Sequence, residues 1–322
     1  MKKVVVIGGG SGLATLLRGL RDYPFDITAI VTMTDDGDSS GRLRRDFKLL
    51  PPGDIRKCIA ALSENENALT DLFQYRFKGG LGLKGHSLGN LIISALRDMT
   101  GNFELAIEEI SGLLNIKGQV IPATLDDVDL AAKYDDDNRI VGESKIATYG
   151  YSHKIERVYL TKKPKTNPRA IAAIAAADVI LVGPGSLFTS VIPNFLQDKL
   201  LHAYNTSSAL KVYICNVSTE RGETTGFTVS SHIEELRKYD IGLDAVLANN
   251  HVVALGGKDQ YVAPVLLDFD KISKINKISA NIVDTGNPLY HNSKSLAVAA
   301  GEIIKNSDKF TKQGFSDKIV EL

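Results

Sequence analysis

A chain of 322 residues with 43% hydrophobic and 24% charged side chains can bury a large core, which excludes a disordered polymer. Its 38 Lys and Arg are balanced by 38 Asp and Glu, which excludes a general nucleic-acid-binding surface, because that needs excess cations to displace counterions. Cys58 and Cys215 form no CxxC pair and read as packing thiols of a reducing compartment. No apolar run is long enough for a signal core or a membrane span, so the cytoplasm is the expected address.

Val4-Val5-Val6-Ile7 is continuous and apolar, the pattern of a strand buried on both faces. Gly8-Gly9-Gly10-Ser11-Gly12 follows it. Leu13, Leu16, Leu17 and Leu20 then fall on one face of a helix. A glycine turn between a strand and a helix lets the backbone approach a ligand, and the unpaired N–H groups of the helix start favour a phosphate. The turn is neither a complete dinucleotide fingerprint, since Leu13 stands where its last glycine belongs, nor a Walker loop.

Ile27 to Val31 reads as the second strand, which makes a right-handed βαβ unit. Thr34 to Arg44 follows it. Asp35 and Asp36 sit where a ribose-binding carboxylate is expected, and could instead hold Mg²⁺. Ser39 and Ser40 add hydroxyl donors, and Arg42, Arg44 and Arg45 could reach a phosphate. In Pro51-Pro52-Gly53-Asp54, Asp54 reads either as a helix N-cap or as a ligand contact. Gly85 to Asn90 opens a helix over Leu88 to Met99, with His86 as an acid, a base or a structural residue and Asn90 as a donor.

Helices are also expected near Phe103 to Leu114, Asn167 to Ala177, Val229 to Tyr239 and Ser293 to Lys305. Asp129 to Tyr134 and Arg139 to Ser144 flank a polar turn, Asp135 to Asn138, and read as an antiparallel hairpin insert at roughly 125–150 rather than a separate domain. Val179 to Val182, Val212 to Val217 and Ala245 to Ala248 are further buried strands. Gly183, Gly185 and Ser186 follow the first of these, with Ser186 a hydroxyl donor or a helix cap. Asn216 to Gly226 is a long loop that brings Asn216 and Arg221 to the same crevice. Strands separated by helices predict one α/β domain over 1–322, a parallel sheet covered on both faces. No Ser-His-Asp set, HExxH motif or zinc-spaced cluster occurs.

In order and spacing, Gly8 to Leu13, Thr34 to Arg44, Leu50 to Arg56, Gly85 to Asn90 and Gly183 to Leu187 together resemble the YvcK branch of the YvcK/CofD family, from Lys3 to about Leu296. The resemblance implies a Rossmann-like, doubly wound αβα fold. It also implies a regulatory protein that binds a UDP-sugar and is linked to gluconeogenic growth, cell-wall morphogenesis and cell shape. The alternative it carries is a CofD-like, Mg²⁺-dependent transfer of a phospholactyl group from a nucleotide-activated donor to a deazaflavin. Leu13 to Arg18 lacks the lysine of the transferase loop and fits the YvcK branch better. Asp38 replaces a glycine usual in the family loop, and Tyr290 stands before His291 where a basic residue is expected. A homodimer is the default assembly, and a nicotinamide oxidoreductase is disfavoured by the broken fingerprint.

Overall fold

The apolar runs become strands because both of their faces are covered. The structure, a computed structural model, describes residues 1–64, 68–253, 261–310 and 319–322. Eleven strands occur in it: β1 (Lys3–Gly8), β2 (Asp26–Val31), β3 (Gln119–Pro122), β4 (Leu130–Tyr134), β5 (Arg139–Val141), β6 (Ile155–Leu160), β7 (Val179–Val182), β8 (Leu210–Ile214), β9 (Ala245–Asn249), β10 (Asn276–Ala280) and β11 (Ile319–Glu321). Eight form one sheet in the order β11-β10-β9-β8-β7-β1-β2-β3, and every pairing in it is parallel.

Side chains alternate across this sheet. Val4, Val6, Val179, Leu181, Val212 and Leu247 face a core completed by Leu13, Leu16, Leu17 and Leu20 of the helix Gly10–Leu20 and by Leu296, Ile303 and Ile304 of the helix Ser293–Lys305. Val5, Ile7, Ile180, Val182 and Val246 face the opposite core, against Ile174, Leu200, Tyr204 and Ile233. Each such aliphatic side chain contributes about 1.5–3 kcal/mol on burial. The doubly wound α/β expectation therefore holds.

The insert differs in extent. β4 and β5 form the expected hairpin, but β6 adds a third strand on the other side of β4. A short helix, Glu143–Tyr149, occupies the sequence assigned to the end of the second hairpin strand. Leu130, Tyr134, Ile146 and Val158 pack this unit into the second core. The polar turn is held locally, by Asn138 N–H donating to Asp136 Oδ1 at 3.1 Å. The strand expected to reach Val217 stops at Ile214, which releases Cys215 to Ser218 as loop. Among the described residues, no helix is long and apolar enough to cross a membrane.

Candidate functional site

The chain runs outward from β1 to β2 and β3, then returns to β7 on the other side of β1. Ligands of open α/β sheets bind at the carboxyl ends of strands where the winding reverses. Here that place lies between β1 and β7, and the two glycine turns meet there. Gly10, Ser11, Gly12, Pro184, Gly185 and Ser186 line a cavity of about 220 Å³, together with Asn216, Ser218, Glu220 and Leu289 to His291.

The helix Gly10–Leu20 begins with no side-chain cap. Gly10 has φ +70°, a left-handed conformation that favours glycine. Its N–H donates to Asp54 Oδ2 at 2.7 Å. The first donor of the turn is thus already held by a carboxylate, and the next N–H groups of the helix start belong to Ser11 and Gly12, which line the cavity. The helix containing Asp54 starts at Gly53, with Pro52 at the cap position. Asp54 is therefore not the N-cap that its sequence position allowed. It fastens the first glycine turn instead.

A β-carbon on Gly12 would lie 2.9 Å from the carbonyl carbon and oxygen of Pro184 and 3.0 Å from the N of Gly185. These are backbone atoms, so the two turns would have to separate. Gly12→Ala is expected to cost about 1–3 kcal/mol, as overpacking does, with the loss read from urea unfolding. Unchanged stability would mean that the turns are not packed this closely in solution.

Beside the cavity lies a buried acidic and basic cluster. Asp35 Oδ1 accepts Gly37 N–H at 2.9 Å. Burial, and then the neighbouring Asp54 carboxylate, raise the Asp35 carboxyl above its ordinary range; Ser40 hydrogen-bonds to Asp35. Asp54 Oδ1 accepts Lys57 Nζ at 2.9 Å. Asp36 turns elsewhere: its Oδ1 accepts Ser144 N–H of the insert at 2.9 Å. The two adjacent aspartates assigned jointly to a cation are thus not brought together as a pair; Asp54 is the carboxylate that faces Asp35. As hard oxygen donors, Asp35 and Asp54 suit Mg²⁺. Asp38 adopts φ +38° and its side chain is 89% exposed, so its charge lies away from the cavity.

Ser39 and Asn90 are engaged in a buried chain. Arg56 Nε donates to Asn90 Oδ1 at 3.0 Å, Asn90 Nδ2 to Ser39 Oγ at 3.1 Å, and Ser39 Oγ lies 3.0 Å from His86 Nδ1. Burial, then Arg42, lower the His86 imidazole below its usual pKa, which favours a neutral structural ring. Asn216 is also committed. It accepts Gly185 N–H at 3.3 Å and donates Nδ2 to Gly185 O at 3.0 Å, which clamps the second glycine turn.

Arg221 does not line the cavity. Its guanidinium lies 4.2 Å from the ring centroids of both Tyr151 and Tyr261. In its place the loop supplies one carboxylate, Glu220, to the cavity wall. Glu220 hydrogen-bonds to Ser186, which takes the hydroxyl that a helix cap would have used. Glu223 accepts Phe188 N–H at 3.1 Å and Thr189 Oγ1 at 2.8 Å. Burial, then Glu220, push the Glu223 carboxyl up to about 8. Glu143, from the insert, is raised well above its usual range by burial and then by Asp35, and its Oε2 is buried without a partner.

Thr15, Ser218, Glu220, Leu289, Tyr290 and His291 complete the cavity wall but were not among the residues assigned from sequence to binding. His291 Nε2 lies 3.1 Å from Cys215 O, and burial lowers its pKa to about 4. The ring is neutral with Nε2–H donating to that carbonyl.

Comparison with known proteins places this geometry in context. The sequence profile of 2-phospho-L-lactate transferase CofD matches residues 4–284. A putative gluconeogenesis factor of Nostoc is 47% identical over 310 residues, 92% of this chain and 67% of that protein. The gluconeogenesis factor of Halalkalibacterium halodurans is 43% identical over 309 residues, 92% of this chain and 95% of that protein. That of Bacillus subtilis is 45% identical over 278 residues, 84% of this chain and 87% of that protein. A crystal structure of a Bacillus halodurans protein superposes with a TM-score of 0.88 at 43% identity, covering 95% of this chain and 99% of the other.

Proposed function

Because the chain belongs to the 2-phospho-L-lactate transferase CofD family and is similar over most of its length to gluconeogenesis factors, we propose that it is a regulator of gluconeogenic growth and cell shape that works by binding a UDP-sugar. The observation that carries this reading is the uncapped start of the helix Gly10–Leu20, opening beside Gly185 and Ser186 at the switch point. Backbone N–H groups and the helix dipole favour a diphosphate there. Asp35 stands beside the turn, where a ribose hydroxyl or a phosphate-bridging cation would sit. Mg²⁺, when bound, would neutralise phosphate charge, and Asp35 and Asp54 would hold it.

The reading is of a binding protein because the two histidines nearest the glycine turns are already engaged. His86 is tied to Ser39, and His291 to the Cys215 carbonyl. A second reading, the Mg²⁺-dependent phospholactyl transferase, is favoured by one observation, the facing pair Asp35 and Asp54.

Thermal unfolding by calorimetry with UDP-N-acetylglucosamine or GDP, each with and without Mg²⁺, separates the two. A ligand at about 100 times its dissociation constant adds roughly 2.7 kcal/mol to the folded state. The regulator reading expects that gain with the UDP-sugar. A shift with GDP that requires Mg²⁺, and none with the UDP-sugar, would replace it with the transferase. No shift with either ligand would remove both.

A further inference from the structure

A second cavity, of about 590 Å³, opens beyond the carboxyl end of β3 and shares no lining residue with the first. Small-molecule sites are typically roughly 300–1,000 Å³. Leu125, Pro164, Pro168 and Leu196 give this one an apolar wall. Gln197 lines it too, and is only 4% exposed. The Gln197 Oε1 is buried with no hydrogen-bond partner. An unpaired buried amide oxygen is costly, and a bound donor removes that cost.

Gln197 also precedes the helix Asp198–Thr206, and its side chain does not cap that helix. The N–H groups of the first turn therefore lack a side-chain cap, and the acid of that turn, Asp198, is paired with Lys163. Three lysines border the cavity. Lys163 is spent on Asp198 at 3.0 Å, where both side chains are solvent-exposed. Lys165 and Lys199 are exposed and have no acidic partner among the described residues. Asp126, the other acid in the lining, accepts the backbone N–H of Lys165 at 2.6 Å.

We propose that this cavity binds a small amphipathic organic anion. Its apolar body lies against the leucine and proline wall, and its carboxylate, sulfonate or phosphate lies between Lys165, Lys199 and the helix start. One N–H or O–H of the ligand donates to Gln197 Oε1.

The probe is 8-anilinonaphthalene-1-sulfonate, which carries an aromatic body, a sulfonate and one N–H. Fluorescence titration of the intact chain is expected to saturate, with an affinity that weakens as salt rises. The double variant Lys165→Glu, Lys199→Glu alters only exposed side chains and should weaken binding by about tenfold or more, since two charge-assisted contacts become repulsive. Gln197→Leu should also weaken the probe while raising the unfolding midpoint of the unliganded chain, because the orphaned oxygen is gone. A titration that does not saturate, or an affinity that these substitutions leave unchanged, overturns the site. A lower unliganded midpoint for Gln197→Leu overturns the role given to Oε1.

Discussion

Asp54→Ala should destabilise the chain by about 1–3 kcal/mol, the cost of leaving a buried donor unpaired, with a smaller addition from its ion pair to the half-buried Lys57. The Asp54 carboxylate is 5% exposed and ties two elements together. One oxygen accepts the Gly10 N–H and the other accepts Lys57 Nζ. Alanine leaves the Gly10 donor unpaired and the Lys57 ammonium without its counter-ion. The Asp35 carboxyl gains, because the charge that raised it has gone, but this relief does not replace two lost contacts. Asp54→Asn separates them: its amide oxygen can still accept the Gly10 N–H, so it should cost less than alanine while still losing the ion pair. Urea unfolding of both variants checks the order. Equal losses would mean that the glycine-turn contact contributes nothing, and no loss in either would mean that the turn is positioned without Asp54. On the proposed reading, both variants should also weaken UDP-sugar binding, because the turn that presents Ser11 and Gly12 is no longer fastened.

Much of this arrangement was legible in the sequence where one periodicity acted alone. Val4-Val5-Val6-Ile7 and Leu13 to Leu20 placed β1, the first glycine turn and its helix correctly, because a strand buried on both faces and a one-faced helix leave unmistakable patterns. β10 was not legible. Its Asn276, Lys277 and Ser279 are polar yet buried, so it lacks the apolar run that marks the central strands. β3 ends in Pro122 at the edge of the sheet, where a missing N–H is tolerated. The helix Asp38–Phe47 hid within a stretch of Ser, Gly and Arg that reads as a loop.

The site shows the same division. Glycine turns were visible because local geometry demands them. The pairing of Asp35 with Asp54 was not, because adjacent aspartates suggest a shared ligand while their side chains bind different partners, Gly37 and Ser144. Asp36 accordingly reaches the insert, and Asp54 arrives from the following helix. Leu289 to His291 come to the cavity from the far end of the chain, a contact that no local pattern encodes.

The Glu223 carboxyl, held protonated by burial, should make the unliganded chain less stable as pH rises from about 7 to about 8. Asp35, Glu143 and Glu223 all have folded-state pKa values raised by burial, with Glu223 at about 8. A raised pKa means that the folded state binds more protons than the unfolded one. Its stabilising contribution is present below the ordinary carboxylate range and is lost as pH climbs through the folded value. His232 and His291 work in the opposite direction, since burial lowers both to about 4 from 6.5. Their contribution is complete above about 6.5 and is lost as pH falls from there toward 4. Over the lower window the two sets oppose each other. Only well above 6.5, where the unfolded histidines have also lost their protons, does the Glu223 slope stand alone, at no more than about 1.4 kcal/mol per pH unit. Glu223→Gln should reduce that slope, because a neutral amide can still accept from Phe188 N–H or Thr189 Oγ1 without ionising. Urea unfolding at the two ends of this window, for wild type and Glu223→Gln, measures the difference directly. Identical slopes would place the Glu223 proton in bulk-like surroundings, and the carboxyl cluster would then be ionised and open to solvent before any ligand arrives.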